Sequence, residues 1–496
     1  MIETKEANRS LLIPKWLSFK KSFGPEFAFP RKSGRQLDSK TKASFKEDYE
    51  EFRINPDLTK ACDLLHCSIV LNNTGIAKEA AKFLARQNHL TGSTRSLVTM
   101  VLGNLSNDKE VLSIEEKISH VRTTLKRQTR NPLLWIELGR LHTIKGQTEK
   151  AERCIVTAVA LAPVNRFIVR AAARFFIHRD APDEAHFISH RAYESTRDPW
   201  LYATLINCAI LAGKKLPKPI GIDLTNIPPD SLFHYSELIA SVAVSQLRFG
   251  NERRARKLFR LAWSSPSETV IAHAEWVIRT HFPALIQEIK IDFSQSAEAS
   301  SWHNYFNLNL TRALEYAEEW SIEEPYSTHP FASGSCFACI ESKYKLGARI
   351  AKEGLIANPD DLSLKNNLAY ALLKQGNIEE ARGVLAPTLK HITEVENVFL
   401  LATSGLLFYK TGNVNSGREL YLKSCEVSRK KGDRTIAALA LLHMAEAEKE
   451  AKSDKAGEFL QRAIDESAGI DEPSIIIIRD SLAGKMKGTS YIPPVK

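Results

Sequence analysis

Apolar and small residues recur along most of the chain at helical spacing, in short blocks that come in pairs. The clearest pair is the segment from Pro132, PLLWIELGRLHTIKGQTEKAERCIVTAVALAPVN. Its first block carries Trp135, Leu138, Gly139 and His142, and its second carries Ala151, Ile155 and Ala158. Gly146 falls between the blocks and Pro163 closes the second. The pattern predicts two antiparallel helices: Gly139 and Ala151 permit close approach, Gly146 suits the turn, and Pro163 favours termination.

The phase returns elsewhere, with a turn glycine followed five residues later by alanine. Gly250 and Ala255 precede Phe259 and Ala262; Gly376 and Ala381 follow Leu368 and Ala369; Gly75 and Ala80 precede Leu84. Looser copies hold Gly405, Phe408, Gly412, Gly417 and Tyr421, then Ala447, Ala456, Leu460 and Ala463. Units beginning at Pro132, Arg166 and Trp200 are 34 residues apart, as are those beginning at Ser294, Thr328 and Leu362. No stretch alternates apolar and polar residues between hairpin turns, so strands are not expected. The fold class read from this pattern is all-α.

These positions resemble the tetratricopeptide repeat family in its aromatic, small-residue, turn and terminal-proline places. The resemblance runs over about 57–469, strong in half the units and degenerate between them. It implies a right-handed superhelical solenoid of roughly ten to twelve antiparallel hairpins, with the first helix of each lining a concave groove. The family's chaperone-tail clamp, which combines Lys and Asn on successive first helices, is not found in consecutive units.

Two places interrupt the phase. After the helix beginning at Trp200, a second helix is replaced by GKKLPKPIGIDLTNIPPDS, whose four prolines forbid regular helix. Around Phe282 to Ser296 a unit looks truncated. The expected organisation is therefore an arm over 1–56, a repeat lobe over 57–213, a proline-rich hinge over 214–230, a second lobe over 231–485 with a terminal capping helix, and a tail over 486–496. The arm shows no helical phase; residues 1–60 hold 13 Lys and Arg against 9 Asp and Glu, with Trp16, Phe19, Phe23, Phe27 and Phe29 among them. Two readings of it stand: a cap that packs its aromatics on the first hairpin, or a peptide that docks on a partner.

Composition adds limits. At 496 residues the chain exceeds one compact core, and 43 % hydrophobic with 25 % charged residues is ordinary for a globular protein. Seven cysteines in no tight pattern argue against a secreted disulfide framework. The early apolar run Leu11, Leu12, Ile13 is too short for an export signal, and the longest apolar stretches fall below the ~20 residues that cross a bilayer. A cytoplasmic location without membrane partners is expected.

Local catalytic signatures are absent: no phosphate-binding glycine loop, dinucleotide fingerprint, HExxH or GxSxG. Cys336 and Cys339 form a CxxC without the context of a redox or zinc site and are read as core. His186 and His190 share a helix face but lack a third ligand. The chain is expected to be no enzyme and to hold no cofactor or metal.

Charge offers a binding surface instead. Arg166, Arg170, Arg174 and His178 follow at spacings of four, and Arg140 precedes them on the previous first helix. By the family resemblance Arg140, Arg170 and Arg174 face the groove. Guanidinium forks suit carboxylates, so one reading is a basic groove that holds an acidic or extended segment of a protein partner. The other is that these residues pair with acids of the chain itself, such as Glu137. Six basic residues over Arg248–Arg260, and Glu315, Glu318, Glu319, Glu323 and Glu324, read as solvated faces or as head-to-tail contacts in self-association. The function read from all this is an interaction scaffold, an adaptor or regulatory subunit. Its rival is a helical-repeat protein binding single-stranded RNA; the base-reading places hold Ile136, Arg170, Asn366 and Ala402 without the regularity a code needs.

Overall fold

Segments with the paired helical pattern fold as antiparallel helix hairpins in the computed structural model of the chain. It describes residues 9–18, 39–70, 73–87, 94, 97–98, 101–102, 113–217, 221, 223–288, 291–390 and 397–484. Phe19, Phe23, Phe27, Phe29 and the tail 486–496 lie outside these residues. Twenty-three α-helices and no strand occur among the described residues.

Contacts gather the chain into two units, residues 17–138 and residues 1–16 with 139–496. The smaller unit contains α1 (Ser39–Ile54), α2 (Leu58–Val70), α3 (Thr74–Leu84), α4 (Ile114–Arg127) and the start of α5 (Pro132–Ile144). Phe52, Leu64, Leu65, Ala77, Ala80, Ala81 and Leu84 form its core. The helix α1 falls inside 1–56, where no helical phase is visible because its apolar residues are few and scattered. A capping box, Ser113 with Glu116, starts α4.

In the larger unit follow α6 (Thr148–Leu161), α7 (Arg166–His178), α8 (Pro182–Thr196), α9 (Pro199–Leu211), α10 (Leu232–Arg248), α11 (Glu252–Trp263), α12 (Glu268–Thr280), α13 (Ala297–Phe306), α14 (Leu310–Glu323), α15 (Thr328–Ile340), α16 (Tyr344–Ala357), α17 (Leu362–Gln375), α18 (Ile378–Leu389), α19 (Val398–Lys410), α20 (Val414–Lys430), α21 (Arg434–Glu450), α22 (Ala456–Ser467) and α23 (Pro473–Leu482). Neighbours in sequence pack on each other, and α7 on α9, α15 on α17, α17 on α19 and α19 on α21 also touch. Packing of each first helix on the next first helix is what makes a hairpin series a tetratricopeptide-like array.

Close approach explains the small residues. A Cβ on Gly139 would lie 2.7 Å from Ile155 Cδ1, so a larger residue there would push the Ile155 side chain aside between α5 and α6. Turn chemistry explains the degenerate units. Gly146 and Gly376 adopt φ +66° and +83°, the left-handed conformation that glycine takes without a Cβ clash. The equivalent turns one 34-residue step away use Asp180 and Ser342, at φ 57° and 59°. Leu308, a further step before Ser342, has φ 60°. These turns keep the geometry without the glycine.

Where prolines replace the expected second helix, residues 214–217 and 223–228 are non-helical and a short 3-10 turn spans Pro229–Ser231. The helices α9 and α10 on either side nonetheless pack directly, and Asn207 Nδ2 donates to Ser241 Oγ at 2.9 Å across them. Between α12 and α13 two 3-10 turns, Pro283–Gln287 and Phe293–Gln295, stand in place of a helix.

Candidate functional site: a seat filled by the N-terminal segment

Residues 9–16 lie along the inner helices of the larger unit. Ile13 N donates to Leu11 O at 3.2 Å, and four further backbone groups of this segment meet side chains of the array. Asn207 Oδ1 on α9 accepts from Leu12 N at 3.2 Å. His273 Nε2 on α12 meets Ser10 O at 3.3 Å. Tyr326, in the turn before α15, accepts from Trp16 N at 3.3 Å, and Arg140 Nε on α5 donates to Trp16 O at 3.2 Å. Contacts of this kind, peptide backbone against side chains of a groove, are those by which a groove holds a peptide.

Side chains anchor the segment at both ends and in the middle. Leu11 and Leu12 enter the core formed by Ile239, Ala243, Val244, Phe259, Val270 and Val277. Trp16 is fully buried, its ring 6.1 Å from Phe175 and 5.3 Å from Tyr326. Each of these burials is worth about 1.5–3 kcal/mol. Trp16 thus packs on α7 and the turn before α15, which answers for this residue where the arm's aromatics go. Pro14 is also buried.

The cations of the segment meet carboxylates. Arg9 Nη2 lies 2.5 Å from Glu275 Oε2 and Nε 3.6 Å from Glu298, with the guanidinium 4.8 Å over the Trp302 ring. Lys15 Nζ lies 2.6 Å from Glu268 and 3.6 Å from Glu323. Burial alone would lower the Lys15 pKa; Glu268, Glu324, Glu323 and Glu298 outweigh it and hold the ammonium above its ordinary value. Glu298 is itself pushed up by burial, with Arg9 and Lys15 opposing. Among the described residues Trp16 Nε1 and Arg9 Nη1 have no hydrogen-bond partner, and Arg9 Nε has the longer contact to Glu298 alone.

The arginine stripe supports this seat from behind. Arg174 is 7 % exposed, its Nε 3.7 Å from Glu324 Oε1, its Nη2 donating to Ser327 Oγ at 3.3 Å, and its guanidinium 5.2 Å over the Tyr326 ring. Arg170 Nη1 lies 2.7 Å from Glu237 Oε2, while Glu237 Oε1 accepts from Ser267 Oγ at 3.0 Å, and the Arg170 guanidinium lies 5.1 Å over the Trp200 ring. Besides Trp16 O, Arg140 reaches Glu323 O at 3.4 Å. Arg166 is the outermost, half-exposed and paired with Asp198 through Nε at 2.8 Å. His178, 5.7 Å from Tyr326, is held neutral down to about 4 by burial and by Arg174. Thus Arg170 and Arg174 do meet acids of the chain, and these are Glu237 and Glu324. Glu137 accepts from Ser18 Oγ at 2.9 Å.

Sequence reasoning missed the carboxylates. Glu323 and Glu324 end a run whose earlier members, Glu315, Glu318 and Glu319, are exposed on α14. The turn before α15 carries the last two inward, where Glu324 is held below the carboxylate range against burial by Arg174, Lys15 and the Trp320 N–H. The helical phase broken at Pro325 was the available signal. The basic run on α11 is exposed, and Arg260 pairs with Glu288.

Cys336 and Cys339 lie half-buried on α15, and burial pushes the Cys339 thiol up. His186 and His190 stack at 5.9 Å. No group of three metal-ligating side chains occurs among the described residues. No described helix is long and apolar enough to cross a membrane.

No protein-family profile matches the chain, and no curated protein matches it. Solved structures with which it aligns include Naa15/Naa10 bound to HypK-THB, at 13 % identity and a TM-score of 0.26, covering 86 % of this chain and 92 % of that one. Yeast Tom70 aligns at 12 % identity and 0.26, covering 75 % and 92 %. The hetero-tetramer Cut9-Hcn1 of APC/C aligns at 12 % identity and 0.31, covering 75 % and 76 %. The assignment of a tetratricopeptide-like all-α fold rests on the chain's own hairpin geometry.

Proposed function

We propose that this chain is a non-catalytic interaction scaffold, the adaptor or regulatory subunit of a multi-component system, and that the inner face of its larger unit holds an extended segment of a protein partner. The observation that carries this reading is the seat of residues 9–16, a groove that already grips an extended peptide by its backbone, two leucines, a tryptophan and two cations. Arg140, Arg170, Arg174, Arg166 and His178 act in it as the frame of the seat. An acidic occupant held by Arg170 and Arg174 would have to displace Glu237 and Glu324 first, at the cost of leaving buried carboxylates unpaired. The same internal pairing removes the free basic stripe on which a single-stranded RNA reading depends.

The test is purification of the full chain from its native cell with nuclease present, beside a variant carrying Glu268→Lys and Glu323→Lys. Proteins retained by the first and lost by the second, at equal helicity, are expected. Identical protein sets with both chains, or no protein retained by the first once nuclease has removed nucleic acid, would contradict the reading.

A further inference from the structure

We infer that residues 9–16 are an internal competitor for the seat, and that its external ligand is a partner segment of the same chemistry: a cation, an adjacent aliphatic pair, and a Lys-Trp-like cation and aromatic four residues beyond. The inference rests on the scaffold reading and adds to it the ligand's chemistry and the step that controls access.

The helices pack on their sequence neighbours along the array, so the hairpin interfaces exist without the segment. The segment adds no hairpin to that array; residues 12–18 belong to no helix or strand. Its backbone is bonded to side chains, as a separate peptide would be, by Asn207, His273, Tyr326 and Arg140. Its charges complement the seat: Arg9 and Lys15 face Glu275, Glu298, Glu268 and Glu323. Fit is incomplete, since Trp16 Nε1 and Arg9 Nη1 are buried without hydrogen-bond partners among the described residues. Unmet donors and the entropy of ordering an extended chain both weaken the docked state, which makes exchange for a better-satisfied segment feasible.

Tethering sets how strong a rival must be. A segment joined to its own seat acts at an effective concentration on the order of millimolar, so a free peptide of equal intrinsic affinity binds poorly until the tethered copy is disabled. Lys15→Glu places a carboxylate among Glu268, Glu323, Glu324 and Glu298, and Trp16→Ala removes the aromatic anchor; together they release the segment while leaving the seat intact.

The probe is a fluorescein-labelled synthetic peptide of residues 8–18, titrated by anisotropy into the full wild-type chain and into full-length Lys15→Glu/Trp16→Ala. Binding at least about tenfold tighter to the variant, and lost when the peptide itself carries Trp16→Ala, is expected. Equal binding to both chains, or none to a folded variant, overturns the inference. If the variant does not fold, hydrogen exchange on the wild-type chain decides: Leu12, Ile13 and Trp16 amides should exchange faster than the core amides of α10, and exchange only at the rate of those amides refutes it. Should the inference fail while seat-dependent partner capture persists, the scaffold reading stands and the competitor is withdrawn; loss of capture with successful peptide binding does the reverse.

Discussion

The two halves of the larger unit solve the same electrostatic problem differently. From α17 to α21 the inner cations and carboxylates match within the array: Lys374 lies 2.9 Å from Glu446 and 2.8 Å from Glu450, Lys410 2.6 Å from Glu450, and Arg418 2.6 Å from Glu448. From α10 to α15 the inner carboxylates outrun the inner arginines, and Arg9 and Lys15 of a distant segment make up the difference. A self-neutralised groove is scaffold. On the proposed reading, an acidic groove completed by a segment from outside the repeats is the binding site, because what completes it can be exchanged.

Breaking the frame of the completed half should have the largest effect. Arg174→Glu sets a new carboxylate against Glu324 in a buried site, and loss of a buried partner typically costs about 3–5 kcal/mol. Urea denaturation should show a destabilisation of that order; a change under about 1 kcal/mol would mean that the Arg174 pair does not frame the seat.

Acid separates the halves next. Burial and Arg174 hold His178 neutral to about 4, and burial holds His273 neutral to about 3, against 6.5 for the free side chain. Their folded pKa values are depressed, so the unfolded chain takes up protons first, and the stability present above pH 6.5 is lost as pH falls toward these values. His273 faces Ser10, Arg9 and His281; His178 faces Arg174, Glu324 and Arg179. In the other half Glu446 is lowered to about 2, its burial outweighed by His443 and Lys374, so that contribution persists until pH falls below 4.5. Hydrogen exchange corrected for intrinsic rates should therefore show α7 and α12 losing protection between pH 6.5 and 4.5 while α21 keeps its own. Parallel loss in both halves would contradict the contrast.

Packing sharpens it from the opposite side. A Cβ on Gly405 would lie 2.9 Å from Gly417 O, so Gly405→Ala should cost about 1–3 kcal/mol by forcing α19 from α20. Peptide affinity of the seat should not change. The smallest effect belongs to Arg166→Ala, whose half-exposed pair with Asp198 is worth about 0–1 kcal/mol; a large loss of peptide binding there would return Arg166 to direct ligand contact.

The sequence made the hairpins legible because their packing is local. Gly139 against Ile155 and Gly146 in the turn are decided within one 34-residue unit, and helices begin at Pro132, Arg166, Thr328 and Leu362 where the phase places them. Turns at Asp180, Leu308 and Ser342 hid the phase, since their left-handed backbone is imposed by the flanking helices without a glycine to mark it. The stripe from Arg166 to His178 was visible for the same local reason. Its partners were not: Glu237 lies on α10 and Glu324 in the turn before α15, and their inward direction depends on the path of the whole array. Trp16 was marked as an aromatic in a basic arm, yet nothing near it in sequence points to Phe175 or Tyr326.

The chemistry of the occupant is the central claim, and a direct competition tests it. With the segment released by Lys15→Glu/Trp16→Ala, the full chain would be titrated with peptide 8–18 and with the same peptide carrying Arg9→Glu and Lys15→Glu. The account requires the basic peptide to bind at least about tenfold more tightly, its cations facing Glu268, Glu275, Glu298 and Glu323. Equal or tighter binding of the acidic peptide would contradict it and would make Arg140, Arg170 and Arg174 the ligand contacts.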